Sequence, residues 1–509
     1  MNNEPRPVDS ARPSRPFTLA WVLSTLLLGG LFVFFAVPMA SAESGDSQSE
    51  DDARRYAMIM QNVFDFIREN YVDDIDPKLL YEGAMQGMFE ALEDPYSTFL
   101  AESDMSDLND TTRGSFGGVG LYINKQIVPP GSDLPSFVEV ASPIEDTPGW
   151  KAGINPGDLI IEIEGASTGK MSMEEVLAHL RGVPGTDVTI LIRRGEKLEF
   201  PVTLTRAIIE VPTVKSAMIG DIGYLRLTTF TPNTAERSRE AIAGFTKSKY
   251  KGLILDLRNN YGGLLQSAID ICDIFLDGGV VVSTRSRISG DNVVFNATRR
   301  TLVNPRIPVV VLINRGSASA SEIVAGALKD RGRAILVGEK SYGKGSVQQV
   351  YPLGSTGFKL TTARYYTPSD VNIDKIGIPP DREILVPELS DEEVESFSKL
   401  LESGRIRRFV KENPTADAAA IAREVKAILA TYPLSQTLVS RLLRDEFNRT
   451  VIAPVYDLEY DIQLKAAVDL FGEDDWDEVL SGVKSLKQLQ DEHLLEIEEE
   501  DIADEDVSR

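Results

Sequence analysis

The chain has 509 residues, 42% apolar and 26% charged, with a net charge of −25. That length holds roughly two to four domains, and the acidic balance excludes a nucleic-acid partner, which needs a basic footprint. One cysteine and two histidines, His179 and His493, exclude an intramolecular disulfide and a zinc site built on several histidines, and leave little from which to assemble a Ser-His-Asp or Cys-His centre.

At the N-terminus Arg6, Arg12 and Arg15 precede an apolar stretch over 17–39, and Ala40-Ser41-Ala42 supplies a small-residue cleavage signal. This pattern predicts export to the periplasm or cell envelope. The stretch is long for a signal peptide and close to spanning length, so a cleaved signal and a retained inner-membrane anchor both stay open. After this segment (1–45), residues 46–105 form a helical region. Tyr56, Met60, Phe64 and Ile67 mark one apolar face of a helix over 52–92, and Asp94-Pro95-Tyr96 ends it. Such an arm packs on another domain or on a second copy.

Residues 106–206 read as short strands with glycine turns. Gly117 to Leu121 opens a strand, Phe137 to Val140 makes another, and Gly157-Asp158 leads into the strand 159–163. A helix follows over 172–180, then a strand over 188–192. This segment resembles a PDZ domain in Gly118-Val119-Gly120-Leu121, in Ala152-Gly153-Ile154 and in Gly157-Asp158-Leu159-Ile160. The physical logic is separate from the name. Successive N–H groups of a glycine loop cradle a terminal carboxylate, the neighbouring strand edge pairs with the incoming peptide, and side pockets take its apolar residues.

From 207 to 386 strands alternate with helices, which predicts an α/β layer around a mainly parallel sheet. The run 252–257 is apolar throughout, as for a strand covered on both faces. Strands are expected at 280–283, 308–313 and 334–337, with helices from 264 and from 319. Cys272, in the apolar run 264–276, reads as a small buried hydrophobe. Residues 387–509 are helical and increasingly acidic, ending in a solvated tail.

Three segments carry chemistry. Asn314-Arg315-Gly316-Ser317-Ala318-Ser319-Ala320-Ser321-Glu322 joins a buried strand to a helix. A serine there sits where the helix N-terminus favours developing negative charge. Ser319 with Glu322 is equally a capping-box pattern, and the segment alone does not choose among its three serines. In Gly343-Lys344-Gly345-Ser346-Val347-Gln348 a lysine is framed by glycines. Buried, it can act as the general base of a serine, with Gln348 orienting the neutral amine. The spacing of a nucleotide-binding P-loop is absent. The turn Asn259-Asn260-Tyr261-Gly262-Gly263 either lines an oxyanion hole with backbone N–H groups or is simply a tight turn.

In their order and spacing these motifs resemble the C-terminal processing, or tail-specific, protease family over roughly residues 50–385. Asp94-Pro95-Tyr96-Ser97 and Gly377-Ile378-Pro379-Pro380-Asp381 belong to the same resemblance. It implies a multidomain α/β protein with a helical N-terminal arm, a PDZ domain (a partly open β-barrel with helices), an α/β protease core and a helical C-terminal region. It implies Ser319 as nucleophile, Lys344 as base, Gln348 as its orienting residue, and the N–H groups of Gly262 and Ala320 as oxyanion donors. No metal or cofactor is required. Gly118, Val119, Gly120 and Leu121 would bind peptide, and Arg181 matches an arginine that switches activity. Tyr261 stands where the family has proline. The expected partners are proteins with accessible C-terminal tails, further copies of the chain and an adaptor or activator. The rival expectation is a PDZ scaffold with an inert core, and a PDZ domain serving only as lid or adaptor dock stays open.

Overall fold

Pro77 divides the N-terminal helical region in two. Its ring supplies no N–H and disfavours helix at the residue before it, so Ser47–Asn70 ends and a new helix, Pro77–Glu90, starts behind Asp76. Asp76 Oδ1 accepts the Lys78 N–H at 2.8 Å. The single helix expected over 52–92 is therefore two. The computed structural model describes residues 47–125, 135–195, 197–299, 301–448, 454–472 and 475–492. The apolar stretch 17–39 and the acidic tail beyond 492 lie outside the described residues. No helix among the described residues is long and apolar enough to cross a membrane. The chain forms two units, Met1–Ala84 and Met85–Arg509. In the first, Tyr56, Met58, Met60, Val63 and Phe66 of the helix are exposed.

In the second unit, the strands Leu121–Lys125, Val138–Pro143, Leu159–Ile163, Asp187–Arg194 and Leu198–Thr205 make an antiparallel sheet in chain order. Their alternate residues, Val138, Val140, Ile160, Ile163, Val188, Ile190 and Ile192, enclose a core with Val176 and Leu180 of the helix Met173–Leu180. Ser172 and Glu175 close a capping box at the start of that helix. A ribbon of Ser115–Gly118 against Ala207–Glu210 carries the chain in and out of this domain.

The next sheet has six strands in the order Val214–Ile219, Ile222–Leu227, Gly252–Asp256, Val309–Ile313, Ile335–Gly338, Arg382–Glu383. Only its first pair is antiparallel. Every residue of Gly252–Asp256 and Val309–Ile313 is buried. The helices Thr234–Lys247, Leu265–Phe275 and Ala320–Asp330 cover one face. Leu464, Ala467 and Leu470 of the helix Ile462–Leu470 cover the other, so a segment near the C-terminus completes the core. Cys272 is buried within it.

A second, antiparallel sheet joins Thr98–Leu100, Thr356–Tyr366, Gly279–Ser286 and Val293–Ala297, with Ser346–Leu353 also paired to Thr356–Tyr366. The strand expected at 280–283 belongs to this sheet and not to the parallel one. Beyond 390, the helices Asp391–Glu402, Arg405–Glu412, Ala418–Leu429 and Gln436–Phe447 pack around Leu400, Val425, Ile428, Val439 and Leu443.

Candidate active site

Parallel strands put the chemistry at their carboxyl ends. Gly252–Asp256 runs into the Asn-Asn-Tyr-Gly-Gly turn, Val309–Ile313 into the serine segment, and Ile335–Gly338 into the lysine loop, and these strands are neighbours in the sheet. The turns meet closely. A Cβ on Gly262, whose φ is +103°, would lie 2.8 Å from Ser319 Cβ and 3.0 Å from Ala320 N. Only glycine lets the two turns approach this far.

The structure separates the three serines. Ser317 is fully buried, donates to the Leu257 carbonyl at 2.8 Å and accepts the Asn314 N–H at 3.0 Å. Ser321 is fully buried and donates to the Asn260 carbonyl at 2.8 Å. Both hydroxyls stitch the serine segment to the 257–260 turn. Ser319 is half-buried and has φ 55° and ψ −114°, outside the regions open to most residues. The helix Ala320–Asp330 begins directly behind it. Half of the capping box is present: Glu322 accepts the Ser319 N–H, but the Glu322 N–H goes to the Ser319 carbonyl and not to its hydroxyl, and an N-cap ordinarily has extended backbone. The strained turn thus goes beyond what a cap requires.

Glu322 is the residue the sequence reading underrated. Its fully buried carboxylate accepts Ser319 N–H at 2.8 Å, Lys344 N–H at 2.9 Å, Gly343 N–H at 2.7 Å and Ser341 Oγ at 2.5 Å. Burial pushes its pKa up, against the pull of these donors. The signal was visible as the third residue of a capping box; its second set of partners, across the sheet, was not.

Lys344 sits half-buried on a loop whose Gly343 has φ 88°. Its Nζ donates to Gln348 Oε1 at 2.7 Å. Gln348 is held in turn by Ser346 Oγ at 2.9 Å and Thr361 Oγ1 at 3.2 Å, both accepting from its Nε2. Burial lowers the Lys344 pKa, and the like charge of Lys359 lowers it further, while Asp94, Glu322 and Asp374 raise it. The Tyr365 hydroxyl, fully buried, donates to the Lys344 carbonyl; burial pushes its pKa well above the ordinary tyrosine value, while the nearby Ser319 side chain draws it down. Among the described residues no hydrogen bond joins the Ser319 hydroxyl to the Lys344 amine. The structure brings the two segments onto one carboxylate and one tyrosine, with the amine turned to Gln348.

The N–H of Ala320, at the first turn of its helix, has no hydrogen-bond partner among the described residues. Gly262 N–H, the other expected oxyanion donor, is held by Asn260 Oδ1 at 2.9 Å. The adjacent Gly263, at φ 143° and exposed, keeps its N–H without a partner among the described residues.

Gly118, Val119, Gly120 and Leu121 lie in the PDZ domain, linking the ribbon to the edge strand Leu121–Lys125. Val119 is buried and Gly120 has φ 75°. Arg181 caps the end of the helix Met173–Leu180 with its guanidinium carbon 5.0 Å from the centre of the Phe116 ring.

Peptidase family S41 matches residues 221–384, a PDZ domain matches 139–194, and the N-terminal domain of the activating protease CtpB matches 32–104. The carboxy-terminal-processing protease of Bartonella bacilliformis is 38% identical over 438 residues, covering 84% of this chain and 97% of that protein. The carboxyl-terminal-processing protease of Synechocystis sp. is 34% identical over 395 residues, 74% of this chain and 90% of that one. Among solved structures, a photosystem II D1 C-terminal processing protease is similar at 30% identity, covering 68% of this chain and 97% of that chain, with a TM-score of 0.40.

Proposed function

This chain belongs to the carboxy-terminal processing protease family, and from that premise we propose that it is a serine endopeptidase that takes substrate proteins by their C-terminal tails. Ser319 is the nucleophile and Lys344 its general base. The observation that carries the reading is the division of labour in the serine segment: Ser317 and Ser321 are committed to buried hydrogen bonds, and the strained Ser319 is the serine left for chemistry.

A tail carboxylate docks at Gly118 to Leu121, and the peptide adds a strand to the free edge of Leu121–Lys125. On engagement the Lys344 amine swings from Gln348 to the Ser319 hydroxyl and takes its proton as Oγ attacks the peptide carbonyl. The tetrahedral oxyanion is met by the N–H of Ala320, favoured by the helix N-terminus, and by the Gly262-Gly263 turn. The lysine ammonium returns the proton to the leaving amine, and water then releases the acyl-enzyme. Arg181 serves as the activity switch within the PDZ domain. The reading also carries an exported site of action, resting on the sequence over 6–42. Self-association is supported by the exposed apolar residues of Ser47–Asn70.

The test pairs an unfolded protein substrate with its C-terminally amidated twin, and maps fragments by mass spectrometry beside the Ser319→Ala chain. Cleavage lost in Ser319→Ala and slowed by amidation supports the whole reading. Cleavage indifferent to amidation removes tail capture, and no cleavage by the unaltered chain favours the inert scaffold.

A further inference from the structure

The turn Asp94-Pro95-Tyr96-Ser97 is wired to the base, yet the mechanism above does not use it. Ser97 Oγ donates to Asp94 Oδ2 at 2.5 Å and accepts the Thr361 N–H at 2.9 Å. Thr361 Oγ1 accepts from Gln348 Nε2 at 3.2 Å, and Gln348 Oε1 accepts from Lys344 Nζ at 2.7 Å. The pairing of Thr98 with Lys359 and of Gln348 with Thr361 holds this chain of contacts in register. One product of that register is the position of the Tyr96 ring, whose centre lies 4.7 Å from Lys344 Nζ. That is within the range where the negative face of an aromatic ring attracts an ammonium, roughly 6 Å.

The Tyr96 hydroxyl is pushed up to about 12 by burial and by the neighbouring Tyr342 hydroxyl, so the ring stays a neutral π face at working pH. The other charged or titratable groups around the amine are Asp94, Glu322 and Asp374, which favour the cation, and Lys359, which opposes it. Buried Tyr365 reaches the same loop through the Lys344 carbonyl.

We propose that Tyr96 is a positioning residue for the reaction: its ring face holds the protonated amine of Lys344 beside Gln348 and opposes its deprotonation. The ring thereby sets what fraction of the enzyme carries the neutral base before substrate engages. This rests on the reading of Lys344 as that base.

The experiment uses the full chain with Tyr96→Phe, then mono-, di- and trifluorinated phenylalanine installed at the same position. Shape and cover of the amine stay nearly constant while the ring face loses electron density. Lys344 is titrated by carbon NMR of its labelled side chain, and kcat and KM for a peptide substrate are followed against pH. The Lys344 midpoint is expected to move stepwise to lower pH, by about half a pH unit across the series. The rising limb of kcat/KM, which reports the free enzyme, should move with it. A midpoint that does not move across the series overturns the hold of the ring on the amine. A midpoint that moves while the kcat/KM limb stays fixed overturns both the assignment of Lys344 as base and the role of Tyr96 in the reaction, leaving only the contact.

Discussion

The backbone N–H of Lys344 donates to Glu322 Oε2 at 2.9 Å. Because the same oxygen takes the Ser319 N–H at 2.8 Å, one buried side chain fixes the spacing of two loops drawn from different strands. Glu322→Gln preserves volume but turns one acceptor oxygen into an amide that faces donors. Stranding such groups costs about 1–3 kcal/mol each, and a small displacement of reacting groups can cost on the order of 100-fold in rate. Thermal unfolding should show the first loss, and kinetics should show a fall in kcat larger than any change in KM.

The serines should behave differently from one another. Ser317→Ala and Ser321→Ala each remove a buried hydrogen bond; the Leu257 and Asn260 carbonyls keep the N–H groups of Asn260 and Ala318, while Ser317→Ala also strands the Asn314 N–H. Ser321→Ala should destabilise the chain by about 0.5–1.5 kcal/mol and Ser317→Ala by about 1–3 kcal/mol, both while keeping measurable cleavage. Ser319→Ala should leave the unfolding transition in place and cleave nothing. Peptide cleavage and calorimetry on the three variants decide this.

The pH dependence has a definite sign. As the proposed base Lys344 works uncharged, so the rate should rise with pH through its pKa, which burial and Lys359 hold below the ordinary lysine value of 10.5. Lys359→Met removes the like charge and should shift the rising limb of kcat to higher pH. Lys344→Arg, which cannot lose its proton in this range, should be inactive at every pH where the fold survives.

Much of the site was legible because its residues are announced locally: glycines beside Lys344, small residues around Ser319, and Gln348 one pleat along the strand. What escaped is non-local. Glu322 looks like a cap because its bond to Ser319 is sequence-near, whereas its bonds to Gly343 and Lys344 come from the adjacency of two parallel strands. Ser97 and Thr361 meet only because Thr98–Leu100 pairs with Thr356–Tyr366, a register that no periodicity encodes. Burial separates the three serines: the alternation of Ser317, Ser319 and Ser321 is uninformative until carbonyls at Leu257 and Asn260 claim two of them. Pro77 encodes a break that the apolar spacing on either side of it masks. The helix Ile462–Leu470 has no signal of its partner, since its apolar face fits any apolar sheet.

That helix is locked by charge as well as by packing. Arg258 donates to Asp256 Oδ2 and to Asp461 Oδ2, each at 2.7 Å, and the Tyr224 hydroxyl donates to Asp256 at 2.7 Å. Burial would raise the Asp256 carboxyl, but Arg258 and Tyr224 overcome it and hold the group below the ordinary carboxylate value. Its stabilising contribution is therefore present above the unfolded-state pKa and is lost as pH falls through the folded one. Arg258→Met leaves a buried uncompensated carboxylate, at a cost of about 3–5 kcal/mol. The carboxyl pKa then rises above its unfolded value, so the deficit should be largest near neutrality and shrink toward about pH 5. Urea unfolding at the two pH values measures it.

The most direct test of the Ser319–Lys344 pair is the site and pH dependence of covalent capture by a serine-directed fluorophosphonate. Peptide mapping should find the phosphonyl group on Ser319, at a rate that climbs with pH and disappears in Lys344→Ala. Capture on another residue, or undiminished capture of Ser319 without the lysine, would contradict the assignment.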